Sequence, residues 1–230
     1  MISMKEIGKL CGISESAVSK ALRNHPGIKE ETKQRVLEVA KKYGYQPNVM
    51  VECMQTGRSR SVGIAFNNFG CQFAGAIMRG IQQTLHKAQY DSYVICWDMM
   101  VHDNINIFDR FARRRVDGLL LFPMEHVPSQ EHKIALQKFH NPIVLIDQSV
   151  GGLDFDYVGS DNMNGMRLLV EQLIKAGYGR IGSVFYGDVS TGIERKNGYL
   201  AAMFEHNRPV NSKFLLELSP TESDIYGKIH

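Results

Sequence analysis

Residues 3–24, SMKEIGKLCGISESAVSKALRN, contain two short helical patterns separated by Gly12. Apolar residues recur at helical spacing on both sides of this glycine, at Ile7, Leu10, Ile13, Val18, Ala21 and Leu22. Ser3 followed by Glu6 predicts a capping box, and Ser14 predicts the cap of the second helix. Gly12 can adopt the left-handed conformation that ends a helix. This order, with a polar and basic outer face on the second helix, predicts a helix-turn-helix, and a helical hairpin inside a core is the alternative.

A third amphipathic segment, from Glu30 to Lys42, completes a minimal three-helix core. Its inner apolar residues are Val36, Val39 and Ala40, with Leu37 beside them. The motif YGYQP (43–47) predicts the end of this helix, because Gly44 stops it and Pro47 prevents it from resuming.

With this element the chain resembles the lactose-repressor (LacI/GalR) family of bacterial transcription regulators. The resembling stretches begin with SMKEIGKLCGIS, ESAVSKALRN, HPGIKEETKQRV and YGYQPN, which leads into QTGRSRSVGIAF. They continue with RGI (79–81), RRVDGLLLFP (114–123), IVLID (143–147), SDNMNG (160–165) and ERKNGY (194–199). The resemblance implies a helix-turn-helix domain over 1–46, a hinge over 47–60 and an effector-binding and dimerisation domain over 61–230. That last domain is expected to be periplasmic-binding-protein-like, with a first lobe over 61–160 and a partial second lobe over 161–230.

Charge is distributed unevenly along the 230 residues. Residues 1–61 carry 11 Lys and Arg against 6 Asp and Glu, whereas the remainder carries 16 against 18. An excess of positive charge on one segment is typical of a protein that meets phosphate, although a solvated basic face is the simpler alternative.

Other composition signals bear on the class of protein. Four cysteines, at positions 11, 53, 71 and 96, show no metal or redox spacing and favour reduced thiols in a cytoplasm. No signal peptide or membrane-length apolar run is found, which favours a cytoplasmic protein without a membrane partner over a secreted solute receptor. Since the sequence contains no nucleophile elbow, phosphate-binding glycine loop or metal-ligand cluster, we expect no enzyme activity, cofactor or metal.

The second helix carries the candidate DNA-reading residues. In a helix-turn-helix this helix enters the major groove, and the resemblance implies that Glu15, Ser16 and Lys20 read bases. A carboxylate can accept from cytosine N4, and a lysine can donate to guanine O6 and N7. The resemblance also implies phosphate contacts by Ser3, Ser14, Ser19, Asn24 and Tyr45. For the three serines, helix capping or solvation is an equally good interpretation.

The hinge, PNVMVECMQTGRSR, has a candidate residue of its own. In the resembling family, hinges become helical on operator DNA and two apolar side chains wedge into the minor groove. Met54 stands at that position, and the carboxylate of Glu52 is a departure because phosphates repel it. Without DNA we expect the hinge to be an unstructured linker.

From Ser61 onward, short apolar runs alternate with helix-length segments. The runs are VGIAF, YVICW, GLLLF, IVLID, YVGS and IGSVFY, and the helical segments are 72–88, 102–115, 129–139, 162–177 and 192–206. This alternation predicts an α/β fold with a parallel, doubly wound sheet and ligand sites at the carboxyl ends of its strands.

The resembling family binds a small effector between two lobes. By position, the resemblance implies the effector-binding candidates Asn68, Phe73, Phe122, Asp147, Asp161 and Arg195. Carboxylates and arginine suit the hydroxyl groups of a sugar, and aromatic faces suit its ring carbons. Alternatives remain, since Asp161 can cap a helix, the two phenylalanines can be core residues, and Asp147 can be an exposed strand end. Arg195 is favoured because RKNGY matches the spacing in the family.

The chain ends at DIYGKIH, shortly after the strand-like KFLLEL (213–218), whereas members of the family extend further. We therefore expect a fragment or a truncated regulator. The leading hypothesis is a transcription regulator, favoured as a repressor, that binds a pseudo-palindromic operator as a homodimer and responds to a small, sugar-like effector. The alternatives are a solute or sugar receptor-like protein, and a truncated regulator that binds DNA without an effector response.

Overall fold

The computed structural model describes residues 2–46, 53, 56–66, 72–96, 106–123 and 129–219. The chain forms two compact units, Met1–Gly57 and Arg58–His230. Each unit buries a hydrophobic core of its own. Within the described residues, no helix combines the length and the apolarity needed to cross a bilayer.

The N-terminal unit consists of three helices: α1 is Met4–Cys11, α2 is Glu15–Leu22 and α3 is Glu30–Lys42. Both hydrogen bonds of the capping box are present. The Ser3 hydroxyl accepts from the Glu6 amide at 3.3 Å, and the Glu6 carboxylate accepts from the Ser3 amide at 2.8 Å. Gly12 ends α1 with a left-handed φ of +66°, and Ser14 caps α2 by accepting from the Ala17 amide at 3.2 Å. The local signals therefore produce the predicted helix-turn-helix.

The three helices enclose a single small core. Ile7, Val18 and Val36 are completely buried in it. Two residues of the predicted apolar pattern lie outside: Leu10 is 55% exposed and Leu37 is 45% exposed. Each directly precedes or follows a buried residue, so each is turned about 100° from the inner face of its helix.

Part of the predicted hinge is described. Cys53 and Thr56 are helical, and the Gly57 amide donates to the Cys53 carbonyl at 2.8 Å, which is an α-helical hydrogen bond. The expectation that this segment has no structure without DNA is therefore wrong at these positions. Met54 and Glu52 lie outside the described residues.

The C-terminal unit contains a five-stranded sheet whose strands are β1 Ser61–Phe66, β2 Asp91–Cys96, β3 Gly118–Leu121, β4 Ile143–Ile146 and β5 Asp156–Val158. All neighbours pair in parallel, in the order β2-β1-β3-β4-β5. The connecting helices are α4 Gln72–Lys87, α5 Asn106–Arg114 and α6 Gln130–Lys138. Because the order reverses between β1 and β3, ligands are expected at the carboxyl ends of these strands.

Helices cover both faces of this sheet. On one face, α5 and α6 contribute Phe111 and Leu136 to a core with Leu119 and Leu145. On the other face, α4 packs against Phe66 and its neighbours. The predicted parallel, doubly wound α/β architecture is confirmed.

A smaller parallel sheet of β6 Ser183–Tyr186 and β7 Leu215–Leu218 follows, with helices α7 Asn162–Lys175 and α8 Ser190–Glu205 and a 3-10 turn at Ser212–Phe214. The two helices pack closely at Gly198. A Cβ atom there would lie 2.1 Å from the Met163 carbonyl oxygen, so only glycine permits this approach. The predicted strand KFLLEL is shorter in the structure, because its first residues form the 3-10 turn.

Candidate functional site

The outer surface of α2 presents a row of polar side chains. Glu15, Ser16 and Lys20 are exposed, and within the described part of the chain their side chains make no hydrogen bond or ion pair. The inner side of the same helix is held by buried Val18 and Ala21. This face is therefore positioned by the core and available to a partner.

Exposed Ser14 and half-buried Ser19 both have hydrogen-bond partners within the chain. Ser14 is the cap of α2, as its alternative interpretation predicted. The Ser19 hydroxyl accepts from Arg23 Nη2 at 2.9 Å, and the Ser19 carbonyl accepts from Arg23 Nε at 3.3 Å. A hydroxyl that accepts from arginine keeps its own hydrogen for donation, for example to a phosphate oxygen.

Asn24 and Tyr45 flank the helix-turn-helix. Asn24 is exposed in the left-handed region, with φ of +53°, which asparagine tolerates well. Tyr45 packs partly against the core. Burial raises the pKa of the Tyr45 hydroxyl, and the negative charge of Glu15 raises it further. Tyr45 is therefore a neutral hydrogen-bond donor at physiological pH.

In the C-terminal unit, a buried asparagine organises a polar constellation. Asn162 begins α7, and its amide oxygen accepts from Arg195 Nε at 2.9 Å. Its amide nitrogen donates to the Glu194 carboxylate at 3.2 Å and to the Ser160 carbonyl at 3.0 Å. With Nε engaged, the guanidinium plane of Arg195 is oriented while the side chain stays exposed.

Asp147 directly follows β4, and Arg195 of this constellation acts on it electrostatically. Its φ is +68°, and its carbonyl accepts from the Tyr157 hydroxyl at 2.8 Å. Burial raises the pKa of the Asp147 carboxyl, and the positive charge of Arg195 acts in the opposite direction. The pKa of Tyr157 is raised by burial and then by Glu194 and Asp147. The structure thus brings Asp147 and Arg195 within electrostatic reach of each other, although they are far apart in sequence.

A second set of polar groups continues from Asp147. The Ser149 amide donates at 2.9 Å to the hydroxyl of Ser190, which begins α8. Gln148 Oε1 is buried and has no hydrogen-bond partner among the described residues. A buried amide oxygen without a partner is an acceptor that a ligand can satisfy.

The other effector candidates differ in placement. Asp161 is exposed and caps α7 by accepting from the Asn164 amide at 3.0 Å. Phe73 is 54% exposed near the start of α4. Phe122 is a core residue, packed edge-on against Phe66 with ring centroids 4.5 Å apart. Asn68 lies outside the described residues.

Sequence reasoning missed Asn162, Tyr157, Glu194 and Gln148. Gln148 had a usable signal, since it follows a candidate at the carboxyl end of a strand. Asn162 and Glu194 each stand beside a candidate in sequence, but their roles depend on a contact between α7 and α8. No pattern within either helix predicts that contact.

Two family models match the chain. Residues 3–48 match "Bacterial regulatory proteins, lacI family", and residues 68–229 match "Periplasmic binding proteins and sugar binding domain of LacI family". The chain is 26% identical over 220 residues to the probable HTH-type transcriptional repressor ExuR of Bacillus subtilis (strain 168). The matched region covers 93% of this chain and 64% of that repressor. It is 25% identical over 229 residues to the HTH-type transcriptional repressor PurR of Mannheimia succiniciproducens, with 98% and 68% covered.

Solved structures share the fold. A lac repressor dimer bound to operator and the anti-inducer ONPF superposes with a TM-score of 0.79 at 15% identity, covering 95% of this chain and 66% of that one. The CelR–cellobiose complex superposes with a TM-score of 0.63 at 20% identity, covering 96% and 67%. The chain thus spans about two thirds of the length of the relatives that it matches.

Proposed function

Since the chain belongs to the LacI family of bacterial regulatory proteins, we propose that it is a sequence-specific DNA-binding transcription regulator, and specifically a repressor. In this proposal residues 1–46 read the operator, residues 47–60 form the hinge, and residues 61–230 bind an effector and pair two chains. The proposed DNA target places the activity in the bacterial cytoplasm.

The observation that carries the proposal is the outer face of α2. Glu15, Ser16 and Lys20 stand exposed on a helix that is capped at its start and packed on its inner side. Their chemistry suits base edges, because a carboxylate accepts from cytosine and a lysine donates to guanine. Ser14, Ser19, Asn24 and Tyr45 surround this face and supply hydroxyl and amide groups for phosphates. We assign Met54 to the minor groove.

For the effector, we propose a small polyhydroxylated molecule, such as a sugar, near Asp147 and Arg195. Asn162 orients the guanidinium, and Gln148 offers an unsatisfied acceptor among the described residues. Charged groups with several acceptors and donors suit hydroxyls at fixed positions. Asp161, Phe73, Phe122 and Asn68 remain proposed members of this site, and Phe122 would contribute only the edge that the core leaves free.

Selection of bound duplexes from a random DNA pool, using the full 230-residue chain, tests the DNA-binding function. We expect enrichment of a two-fold symmetric site with half-sites about one helical turn apart, which also tests the proposed homodimer. Lys20→Ala should lower affinity for that site by about 1–3 kcal/mol and relax preference at one base pair.

The matched control is Lys41→Ala, because Lys41 is an exposed lysine on α3 rather than on α2. It should bind the enriched duplex nearly as well as the unmodified chain. Equal loss in the two variants would contradict the assignment of Lys20. Sugar binding without any duplex enrichment would favour a receptor-like protein.

A further inference from the structure

The five-stranded sheet carries a concentration of cations at one edge. All its strands are parallel, so their amino ends share one edge, and the helices that precede β2, β3 and β4 end there. We name this surface the basic edge, and its cations are Arg58, Arg60, Lys87, Arg113, Arg114, Arg115 and Lys138, all exposed. Four carboxylates lie near the same edge. Asp91 is at the start of β2, Asp117 directly precedes β3, and Asp154 and Asp156 are at the start of the outer strand β5.

The carboxylate of Asp117 is already hydrogen-bonded to neighbouring residues of the chain. Asp117 accepts from the Ser59 amide at 2.7 Å, from the Ser59 hydroxyl at 3.1 Å and from the Arg60 amide at 3.0 Å. These bonds hold the segment that enters β1 against the start of β3. The Asp117 carboxylate therefore fastens the incoming chain to the basic edge.

The arginines at the end of α5 divide into two groups. Arg114 lies over the Tyr93 ring, 5.0 Å from its centroid. Arg113 and Arg115 are exposed, and among the residues that the structure describes their side chains make no hydrogen bond or ion pair. Two guanidinium groups without a counter-ion stand next to a third.

The helix dipole does not account for all of this charge. A cation in the last turn is favourable at a helix C-terminus, which suffices for Lys87, Lys138 and one arginine of α5. The benefit falls off beyond the last turn, and Arg115 follows the end of α5 with a left-handed φ of +53°. The positive charges of Arg113 and Arg115 repel each other and those of their neighbours, so an anionic partner would stabilise these two side chains.

Chain connectivity favours DNA as the anionic partner. The chain leaves the helix-turn-helix after residue 46 and reaches the basic edge at Arg58, and 12 residues span at most about 43 Å. DNA held by α2 is thus presented to this edge at high effective concentration. The other sheet edge, where the strands end, carries the effector candidates instead.

We propose that the basic edge makes a second, sequence-independent contact with DNA, through backbone phosphates that flank the site read by α2. This inference rests on the proposed function. Arg113 and Arg115 are the principal contacts, and Lys87 and Lys138 extend them to neighbouring helix ends. The edge adds affinity and salt dependence but no base preference.

The test measures affinity of the full chain for a mixed-sequence duplex of about 40 base pairs, between about 50 and 200 mM salt. The variant is Arg113→Gln/Arg115→Asn, in which asparagine suits the left-handed position. Each lost phosphate contact lowers the slope of log K against log salt by about 0.9, so we expect a reduction of up to about 2 and roughly 10- to 60-fold weaker binding near 0.1 M salt. Base preference in a selected site should not change.

Arg180→Gln/Lys213→Gln is the control, since both cations are exposed and lie in the part of the chain that contains β6 and β7. It should keep the slope of the unmodified chain. Lys87→Gln/Lys138→Gln tests the same edge at two other helix ends, and it replaces the first variant if that one is unstable. We expect it to lower the slope by less than the arginine variant does.

The outcomes separate the two proposals. If the unmodified chain binds no duplex at any salt concentration, the proposed DNA-binding function fails and this inference fails with it. If the unmodified chain binds and folded edge variants keep its slope, the proposed function stands and the basic edge is not a DNA contact.

Discussion

The helix-turn-helix and the effector constellation are assembled in opposite ways. The proposed reading residues of α2 lie within Glu15–Leu22, on one helix whose caps are also local. The proposed effector site joins Asp147, Asn162 and Arg195, which come from a strand end and two different helices. One site is a surface of a single element, whereas the other exists only after three segments have packed.

This difference predicts how mutations act in each region. On α2, the residues that stabilise the helix and the residues proposed to read DNA are different side chains, so stability and function can be changed separately. In the effector constellation, one side chain can serve both purposes. Asp147 is a proposed ligand contact, and its burial also carries an electrostatic cost.

The largest expected effect is on the packing of α7 against α8. Gly198→Ala places a methyl group 2.1 Å from a backbone carbonyl oxygen, where no flexible side chain can yield. We expect a loss of about 2–4 kcal/mol in the stability of this helix pair and displacement of Arg195. Hydrogen exchange should show reduced protection in α7 and α8, with α1–α3 unchanged.

Gly165→Ala is the matched control on α7. A methyl group there meets no atom within 4 Å, so the change should be neutral or stabilising by up to about 1 kcal/mol. Loss of protection in α1–α3 in the Gly198 variant would contradict the independence of the two units.

A middle-sized effect separates two serines at the start of α2. Ser14→Ala removes the hydroxyl that accepts from the Ala17 amide and should cost about 1 kcal/mol of unfolding free energy in the N-terminal unit. Ser16→Ala should leave stability within about 0.5 kcal/mol but weaken DNA binding. Urea unfolding distinguishes the two changes, whereas duplex binding measured by titration should weaken for both, because Ser14 is also a proposed phosphate contact. Equal destabilisation by the two changes would show that the reading face is not separable from the fold.

The smallest effect tests Asp147. Because burial raises its pKa in the folded state, the folded protein favours the protonated carboxyl. The stability associated with that proton is fully present below the unfolded pKa and is lost as pH rises through the folded pKa. In Asp147→Asn the side chain does not ionise, so stability is no longer lost at this position as pH rises. Asparagine also tolerates the φ of +68°. We expect a gain of about a few tenths of a kcal/mol at neutral pH, kept small by solvent screening, together with weaker effector binding.

Unfolding free energies measured between about pH 4 and pH 7 test the sign. The unfolding free energy of Asp147→Asn should change less with pH than that of the unmodified chain. Destabilisation of the variant at neutral pH would mean that attraction between Asp147 and Arg195 outweighs the cost of burial.

Sequence reasoning was accurate where interactions are local. The Ser3–Glu6 capping box, the Gly12 turn and the Ser14 cap each involve residues at most five positions apart, and all three are present. It was less accurate for residues whose environment depends on other segments. Phe122 follows the carboxyl end of β3, yet its ring packs against Phe66 of the neighbouring strand and is buried in the core.

The sequence by itself determined the helix-turn-helix, the parallel α/β fold and family membership, because hydrophobic periodicity, capping residues and turn residues act over a few positions. Only the tertiary structure decided that Asn162 orients Arg195, that Arg195 acts electrostatically on the Asp147 carboxyl, and that Asp117 holds the chain entering β1. These interactions join residues at least 33 positions apart. Their formation depends on strand register and helix packing, which the local pattern around either partner does not encode.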